Sequence, residues 1–327
     1  MALVVMESGP DTEAIVSGDA PLAVVTGATG FIGRALCPAL SAAGYRVVAL
    51  TRPGNPATAA ELGAQQVLAK PLQQAALKDT FAGATVVFHL AGIAHTGVRD
   101  RAQLEAVNVD GTAEVVAAAR ASGAGRLVYF SSIMADQPQQ SAYAASKRKA
   151  EDAVLAGATQ GLQAVVLRPV NVYGPGMGGN LYTMARLIAN RRLPPLPRLD
   201  NRLALVSVQD LCRVALAVAQ QPDCAGQVYT VSDAEPYTPT QIEAAIYQAL
   251  GRKKPAWHTP RMVFFAAAAA AELVGRMGLT RSGFGLASYN TLVTDNPVSV
   301  QELADAINYQ PTMTLYDALP DILTPLR

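Results

Sequence analysis

Cysteine is scarce in this chain. Its 327 residues include three, Cys37, Cys212 and Cys224, and no two of them form a C-x-x-C pair. That argues against a disulfide framework and a zinc ribbon, and it fits a reducing compartment, the cytoplasm. Histidine is equally rare, and His89, His95 and His258 form no metal set, so no metal is expected. Charged residues make up only 16% of the chain, against roughly 25% in ordinary soluble domains. With 26 Lys and Arg against 25 Asp and Glu, the formal charge is +1. A broad polyanion-binding face is therefore excluded, and no nucleic-acid partner is expected. A local anion site is not excluded, and the arginines between 191 and 202 are where one is to be sought. The longest apolar run, MVFFAAAAAA from Met262 to Ala271, is too short for the roughly 20 residues of a spanning helix. It reads as a packed, Ala-rich helix, or else as a helix at 262–274 lying on a membrane surface. The first 20 residues carry neither a basic region nor an apolar core, so they read as a poorly ordered tail and not as a signal peptide.

Half of the residues are hydrophobic, and they fall into an alternating series. Strands are expected at 22–27, 45–52, 65–69, 85–92, 126–132 and 163–169, with helices at 31–43, 101–122 and 142–156 between them. Val-rich runs without polar alternation suit strands buried on both faces. Strand and helix in alternation predict an α/β fold, a Rossmann-type doubly wound parallel sheet. After Pro169 the chain turns Gly- and Pro-rich. The expected division is a dinucleotide-binding domain at 21–175, to which 203–233 returns. A smaller, mainly helical substrate-binding domain is expected from 176–202 and 234–327.

Thr26-Gly-Ala-Thr-Gly-Phe-Ile-Gly33 sits at the first strand-to-helix turn. Gly27 permits the tight turn, Gly30 lets backbone approach a pyrophosphate, and Gly33 allows helix to pack on strand. Thr29, Phe31 and Ile32 complete a helix N-terminus that offers N–H groups to phosphates. The cofactor is expected to be NAD or NADP. Arg52, at the end of the second strand, can accommodate the 2′-phosphate of NADP, and so tilts the choice without deciding it.

Tyr143-Ala-Ala-Ser-Lys147 lies on an expected helix, and a spacing of four puts Tyr143 and Lys147 on one face. A neighbouring ammonium favours a phenolate and is expected to lower the Tyr143 pKa. Tyr143 could then exchange a proton with an alcohol or carbonyl. Ser132, at a strand end, could bind the same oxygen. His89 reads as a structural histidine at a strand end, and His95, in the next loop, as a residue that could touch substrate.

The segments TGATGFIG (26–33), HLAG (89–92), NVDGT (108–112), YFSS (129–132) and YAASK (143–147) together resemble the extended short-chain dehydrogenase/reductase superfamily, the NAD-dependent epimerase/dehydratase family. The resemblance implies that Leu90, Ala91, Gly92, Asn108, Tyr143 and Lys147 line the cofactor. It also implies that Ser132, Tyr143 and Lys147 form the catalytic set. More narrowly, LRPVNVYGPGMGGN (167–180) and NRLALVSVQDL (201–211) are similar to bacterial UDP-sugar 4-epimerases of polysaccharide biosynthesis. That likeness implies a nucleotide-sugar substrate, with Asn171 and Asn180 at its diphosphate; Arg202 and, from its loop position, His95 are the further substrate candidates. The implied reaction is 4-epimerisation of a UDP-hexose through a 4-keto intermediate. A homodimer is compatible with this reading. The chain departs from the branch at Leu203, where a second arginine is usual. Three alternatives therefore stay open: an NADP-dependent reductase or dehydrogenase of a non-nucleotide carbonyl or alcohol, a non-catalytic dinucleotide-binding subunit, and an epimerase of a lipid-linked sugar diphosphate.

Overall fold

The computed structural model describes residues 20–94, 100–233, 235–276, 285–296 and 298–326. The expected N-terminal tail, but for Ala20, and His95 lie outside the described residues. Nine strands are described: β1 Leu22–Thr26, β2 Arg46–Thr51, β3 Gln66–Ala69, β4 Val86–His89, β5 Leu127–Phe130, β6 Ala164–Pro169, β7 Asn171–Tyr173, β8 Leu205–Ser207 and β9 Val228–Val231. Seven make one sheet in the order β3-β2-β1-β4-β5-β6-β9, and every pairing in it is parallel. Strand order reverses between β1 and β4. The carboxyl ends there open the crevice in which such sheets bind ligands.

The sheet is buried on both faces because its strands are apolar at consecutive positions. Ala23 and Val25 of β1, Val86 and Phe88 of β4, and Val128 and Phe130 of β5 enter one core. Leu22 and Val24, Val87, and Leu127 and Tyr129 enter the other. This is the period-two alternation of a strand serving two cores. The helix Phe31–Ala42 buries Gly33, Leu36, Cys37 and Leu40, the spacing of a single helical stripe. A third core gathers separated segments, including Tyr173, Met184, Leu196, Leu203, Tyr237, Phe264 and Leu319.

The structure differs from the sequence reading in two places. Within 203–233, which the sequence returns to the first domain with strands expected at 203–208 and 227–233, only β9 joins the main sheet; β8 pairs with β7 in a separate two-stranded sheet. The helix expected over 101–122 is interrupted by a π-helical segment, Glu105–Asp110, between α-helical turns at Arg101–Leu104 and Gly111–Ser122. Among the described residues no helix is long and apolar enough to cross a membrane.

Candidate active site

The glycine loop after β1 and the loop after β4 touch. Gly27 has φ of 71°, and a Cβ there would lie 2.6 Å from the Ala91 nitrogen. Only glycine fits both the angle and the contact. A Cβ on Gly33 would fall 2.5 Å from the Gly27 oxygen, whereas one on Gly30 would meet only that oxygen, at 3.2 Å. Gly33 therefore closes the helix onto the turn that leaves β1, while exposed Gly30 leaves the helix start open. The helix Phe31–Ala42 has no side-chain cap at its N-terminus, so its first N–H groups face outward toward any anion. Phe31, Ile32 and Leu90 are partly buried against the core beneath. Thr29 accepts a hydrogen bond from Asn55 at 3.1 Å on its hydroxyl, and its carbonyl takes one from Arg34, also at 3.1 Å. Exposed Arg52 and half-buried Asn55 line a cavity of about 380 Å³ next to them.

Two buried hydroxyls at strand ends, Thr51 Oγ1 closing β2 and Ser131 Oγ just after β5, have no described hydrogen-bond partner. With the open cradle at Gly30, they make this crevice fit a dinucleotide. Gly27, Gly30 and Gly33 would hold the pyrophosphate, and Arg52 with Arg34 the adenosine end.

Beneath the crevice a polar network fixes the second loop. Thr112 donates to the Asn108 carbonyl at 2.7 Å, and its oxygen lies 3.0 Å from His89 Nε2; Thr26 Oγ1 lies 2.7 Å from His89 Nδ1 and accepts the Ala91 N–H at 3.2 Å. Those directions put the imidazole proton on Nε2. Burial, and then the Lys147 charge, push the His89 pKa down to about 3. His89 is thus a neutral structural group, and it lies on a central strand. Asn108, buried in the π-helical segment, accepts from Ile93 N at 2.7 Å and donates to Ile93 O at 3.2 Å and to Ser146 Oγ at 3.0 Å. The wider π turn and these bonds occur together, as is frequent where a helix carries a functional side chain.

Ser141 caps the helix Ala142–Thr159 by accepting from Ala144 N at 3.0 Å. That helix presents Tyr143 and Lys147 toward the end of β5, where Ser132 stands. Ser132 hydrogen-bonds the Tyr143 hydroxyl, yet burial outweighs that bond and raises the Tyr143 pKa. This differs from the lowered value expected from the sequence, because burial of the phenol itself dominates, while the Lys147 ammonium is directed to Tyr129 and Phe130. Lys147 Nζ donates to Phe130 O at 2.8 Å and to Tyr129 Oη at 3.1 Å. Desolvation brings the Lys147 pKa down to about 8, against the opposing pull of Glu151. Fully buried Glu151 binds Arg168 through both carboxylate oxygens, at 2.8 and 2.6 Å.

Ser132, Tyr143 and Lys147 therefore come together beside Gly92 and Asn108. Tyr129, Thr112, Ser146 and Glu151 belong to the same neighbourhood and were missed from sequence, as was Arg34 beside the glycine loop. Ser146 and Glu151 left one legible signal, polar residues on the buried stripe of a helix.

A model of the NAD dependent epimerase/dehydratase family matches residues 23–232. The chain belongs to that family. It is an NAD(P)-dependent oxidoreductase or epimerase, and its cofactor is a nicotinamide dinucleotide. It is 33% identical to the ceramide reductase of Caulobacter vibrioides, over 86% of this chain and 88% of that one. It is 31% identical to the 2-alkyl-3-oxoalkanoate reductase of Stenotrophomonas maltophilia, over 70% and 75%. The UDP-glucose 4-epimerase of Vibrio cholerae is 28% identical, over 72% and 77%. The fold matches that of a UDP-glucuronic acid 4-epimerase from Bacillus cereus in complex with NAD. The TM-score is 0.70 at 18% identity, covering 93% of this chain and 99% of that one.

The expected substrate residues are more scattered. Asn171 is exposed at the start of β7, and exposed Asn180 accepts from Ser288 Oγ at 2.9 Å. Leu203 pairs backbone to backbone with Tyr237, at 2.8 and 2.9 Å, and is 6% exposed in the third core. Arg202 lies exposed beside it, and Asn201 Nδ2 donates to Leu292 O at 2.9 Å. Among the described residues no group of three or more His, Cys, Asp or Glu is placed to hold a metal ion.

Proposed function

We propose that this family member is an NAD(P)H-dependent reductase of a carbonyl compound bearing an apolar chain. The observation that carries the reading is Leu203. It sits, buried, where the resembling 4-epimerase branch has a second arginine, and the neighbouring Asn201 amide is committed to a backbone carbonyl. An aliphatic side chain there cannot grip a diphosphate. The names of the two reductase relatives, ceramide and 2-alkyl-3-oxoalkanoate, point to substrates with alkyl chains.

The cofactor, when bound, supplies the hydride for reduction. Tyr143 holds its proton at neutral pH, because burial raises its pKa, and so is set to protonate the carbonyl oxygen. Ser132 orients that oxygen by a second hydrogen bond. Lys147 supplies positive charge beneath it, from a position fixed by Phe130 and Tyr129. The third core, with the described parts of 176–202 and 234–326, forms the substrate side.

UDP-hexose 4-epimerisation is the second reading, favoured by the Gly-rich segment ending at Asn180 and by the Vibrio cholerae relative. One experiment separates the two. The purified protein is given NADPH or NADH with 3-oxoacyl compounds of graded chain length, and in parallel UDP-glucose. NAD(P)H consumption that rises with chain length is the expected result. Interconversion of UDP-glucose and its 4-epimer without net absorbance change would move the assignment to the epimerase.

A further inference from the structure

The helix Arg261–Arg276 turns the wrong side to water. Phe264 and Ala268 are buried, whereas Met262 is 78% exposed, Val263 57%, Phe265 42% and Leu273 60%. Ala266, Ala267 and Ala270 complete that outer surface. At 100° per residue, positions 262, 263, 266, 267, 270 and 273 share one side of the helix, and none is charged. A solvent-facing helix normally shows its polar face there. An apolar face of this kind marks an interaction surface.

Its neighbourhood identifies the partner. Trp257, the chain's single tryptophan, is 58% exposed just before the helix. It lines a cavity of about 750 Å³ together with Arg191, Arg192, Arg252 and Lys253. No residue of the Ser132–Tyr143–Lys147 site contributes to that cavity. The two features are fixed to one another: Thr259 donates to Pro195 O through both its N–H, at 3.4 Å, and its hydroxyl, at 2.6 Å, and Arg261 donates to Arg198 O at 3.2 Å. Among the described residues Arg191, Arg192 and Lys253 form no ion pair.

Arg191 is also conformationally costly. It follows the helix Gly179–Ala189 and its cap Asn190 with φ of 57°. Arg191 N bonds to Ile188 O at 3.0 Å and Arg192 N to Leu187 O at 2.8 Å. Glycine is the low-strain residue at that position of a helix end. An arginine held there is strained and keeps a cation on the cavity lining.

We propose that this surface docks the protein on an anionic phospholipid bilayer. The apolar helix face enters the interface, Trp257 sits at headgroup level, and Arg191, Arg192 and Lys253 meet lipid phosphates. Helices with one apolar side and flanking cations lie in bilayers in this way, and tryptophan concentrates at the membrane–water boundary. Charge argues against a second copy of the chain as the cover, since a two-fold contact sets a patch against itself and would oppose cation to cation. The inference does not depend on the reductase reading, because docking is read without substrate or cofactor.

The test uses the full chain and vesicles of phosphatidylcholine, alone or mixed with phosphatidylglycerol. Co-sedimentation with the mixed vesicles is expected, together with a blue shift of Trp257 emission; both should weaken with salt. Met262→Glu and Val263→Glu are expected to abolish both signals with unchanged circular dichroism. Arg191→Gly removes a cation and a strained angle at once. It should raise the melting temperature while lowering partition into mixed vesicles about fivefold, the effect of one basic residue at an anionic surface. Equal partition into the two vesicle types, or partition unchanged in Arg191→Gly, overturns the proposal. So does a dimer that Met262→Glu disperses while vesicles leave Trp257 emission unshifted.

Discussion

Lys147 donates to the hydroxyl of Tyr129 at 3.1 Å, and its ammonium stands 4.8 Å from the centroid of the same ring. One residue of β5 therefore anchors the lysine through both its oxygen and its π face, a cation–π contact. Because Lys147 ionises near 8, its charge is lost as pH rises through that value. Reductase turnover is expected to decline on the same limb. Tyr129→Phe removes an acceptor of the charged form and should move the limb about one unit lower, since a bond to a charged group is worth roughly 1.5–3 kcal/mol. The profile of kcat against pH for the two proteins checks this, and an unmoved limb refutes it.

Glu151 acts on the same lysine from one turn further along its helix. Its carboxylate raises the Lys147 pKa while binding Arg168 through two oxygens. Glu151→Gln should shift the alkaline limb below its wild-type position, because a negative charge that favoured the ammonium is gone. It should also lower stability by about 3 kcal/mol, the usual cost of breaking a buried pair, read by thermal or urea unfolding. Wild-type stability carries its own signature. The folded pKa of Lys147 lies below its unfolded value near 10.5, so the unfolded chain binds more protons between the two. The lysine's contribution to stability should then rise with pH across that window.

These two neighbours show where the sequence was readable. The Val-rich strands and the Gly27–Gly30–Gly33 spacing are local patterns with one geometric solution, so the sheet and the cradle could be read directly. Tyr143 and Lys147 share a helix, and their spacing carries the contact. Tyr129, Thr112 and Glu151 come from other elements or face the core, and nothing in linear spacing says that they converge on Lys147. The raised Tyr143 pKa was hidden for the same reason, since it is set by burial. The pairing of β8 with β7 depends on where the third core pulls Leu203 and Leu205, a tertiary effect that short apolar runs do not encode.

Gly33 offers a steric prediction. It is helical, so Gly33→Ala meets no dihedral penalty, but the new Cβ would lie 2.5 Å from Gly27 O and 2.7 Å from Ala28 Cα. Both are backbone atoms and cannot rotate away. The helix must shift outward, with an expected loss of about 1–3 kcal/mol and weaker dinucleotide binding. Unfolding midpoints and a dinucleotide titration measure the two. An unaltered midpoint would mean that the helix start is looser than its contacts indicate.

Arg52 and Arg34 bear on cofactor choice. Arg52 is exposed at the cavity next to Asn55, and Arg34 donates to the Thr29 carbonyl, so both would meet the adenosine end of a bound dinucleotide. Arg52→Ala should raise the KM for NADPH about tenfold while changing that for NADH little, because a cation–phosphate hydrogen bond is worth roughly 1.5–3 kcal/mol. Equal effects on both cofactors would remove Arg52 from 2′-phosphate recognition.

Tyr143 and Ser132 give the sharpest test of the chemistry. Tyr143→Phe keeps the ring and loses the hydroxyl, so kcat should fall about 10²- to 10⁴-fold, the range of a lost general acid, while the dinucleotide Kd stays unchanged. Ser132→Ala leaves the phenol in place but removes the hydrogen bond that lowers its pKa. With burial then unopposed, that pKa rises further. In the alcohol-oxidising direction, which needs the phenolate, the rise of rate with pH should therefore move to higher pH. In the reducing direction, which needs the phenol, Ser132→Ala should lower kcat through lost orientation without introducing a new limb. Measuring both directions in both variants separates proton transfer from positioning. A Ser132→Ala profile that moves to lower pH would place the serine's effect somewhere other than on the Tyr143 hydroxyl.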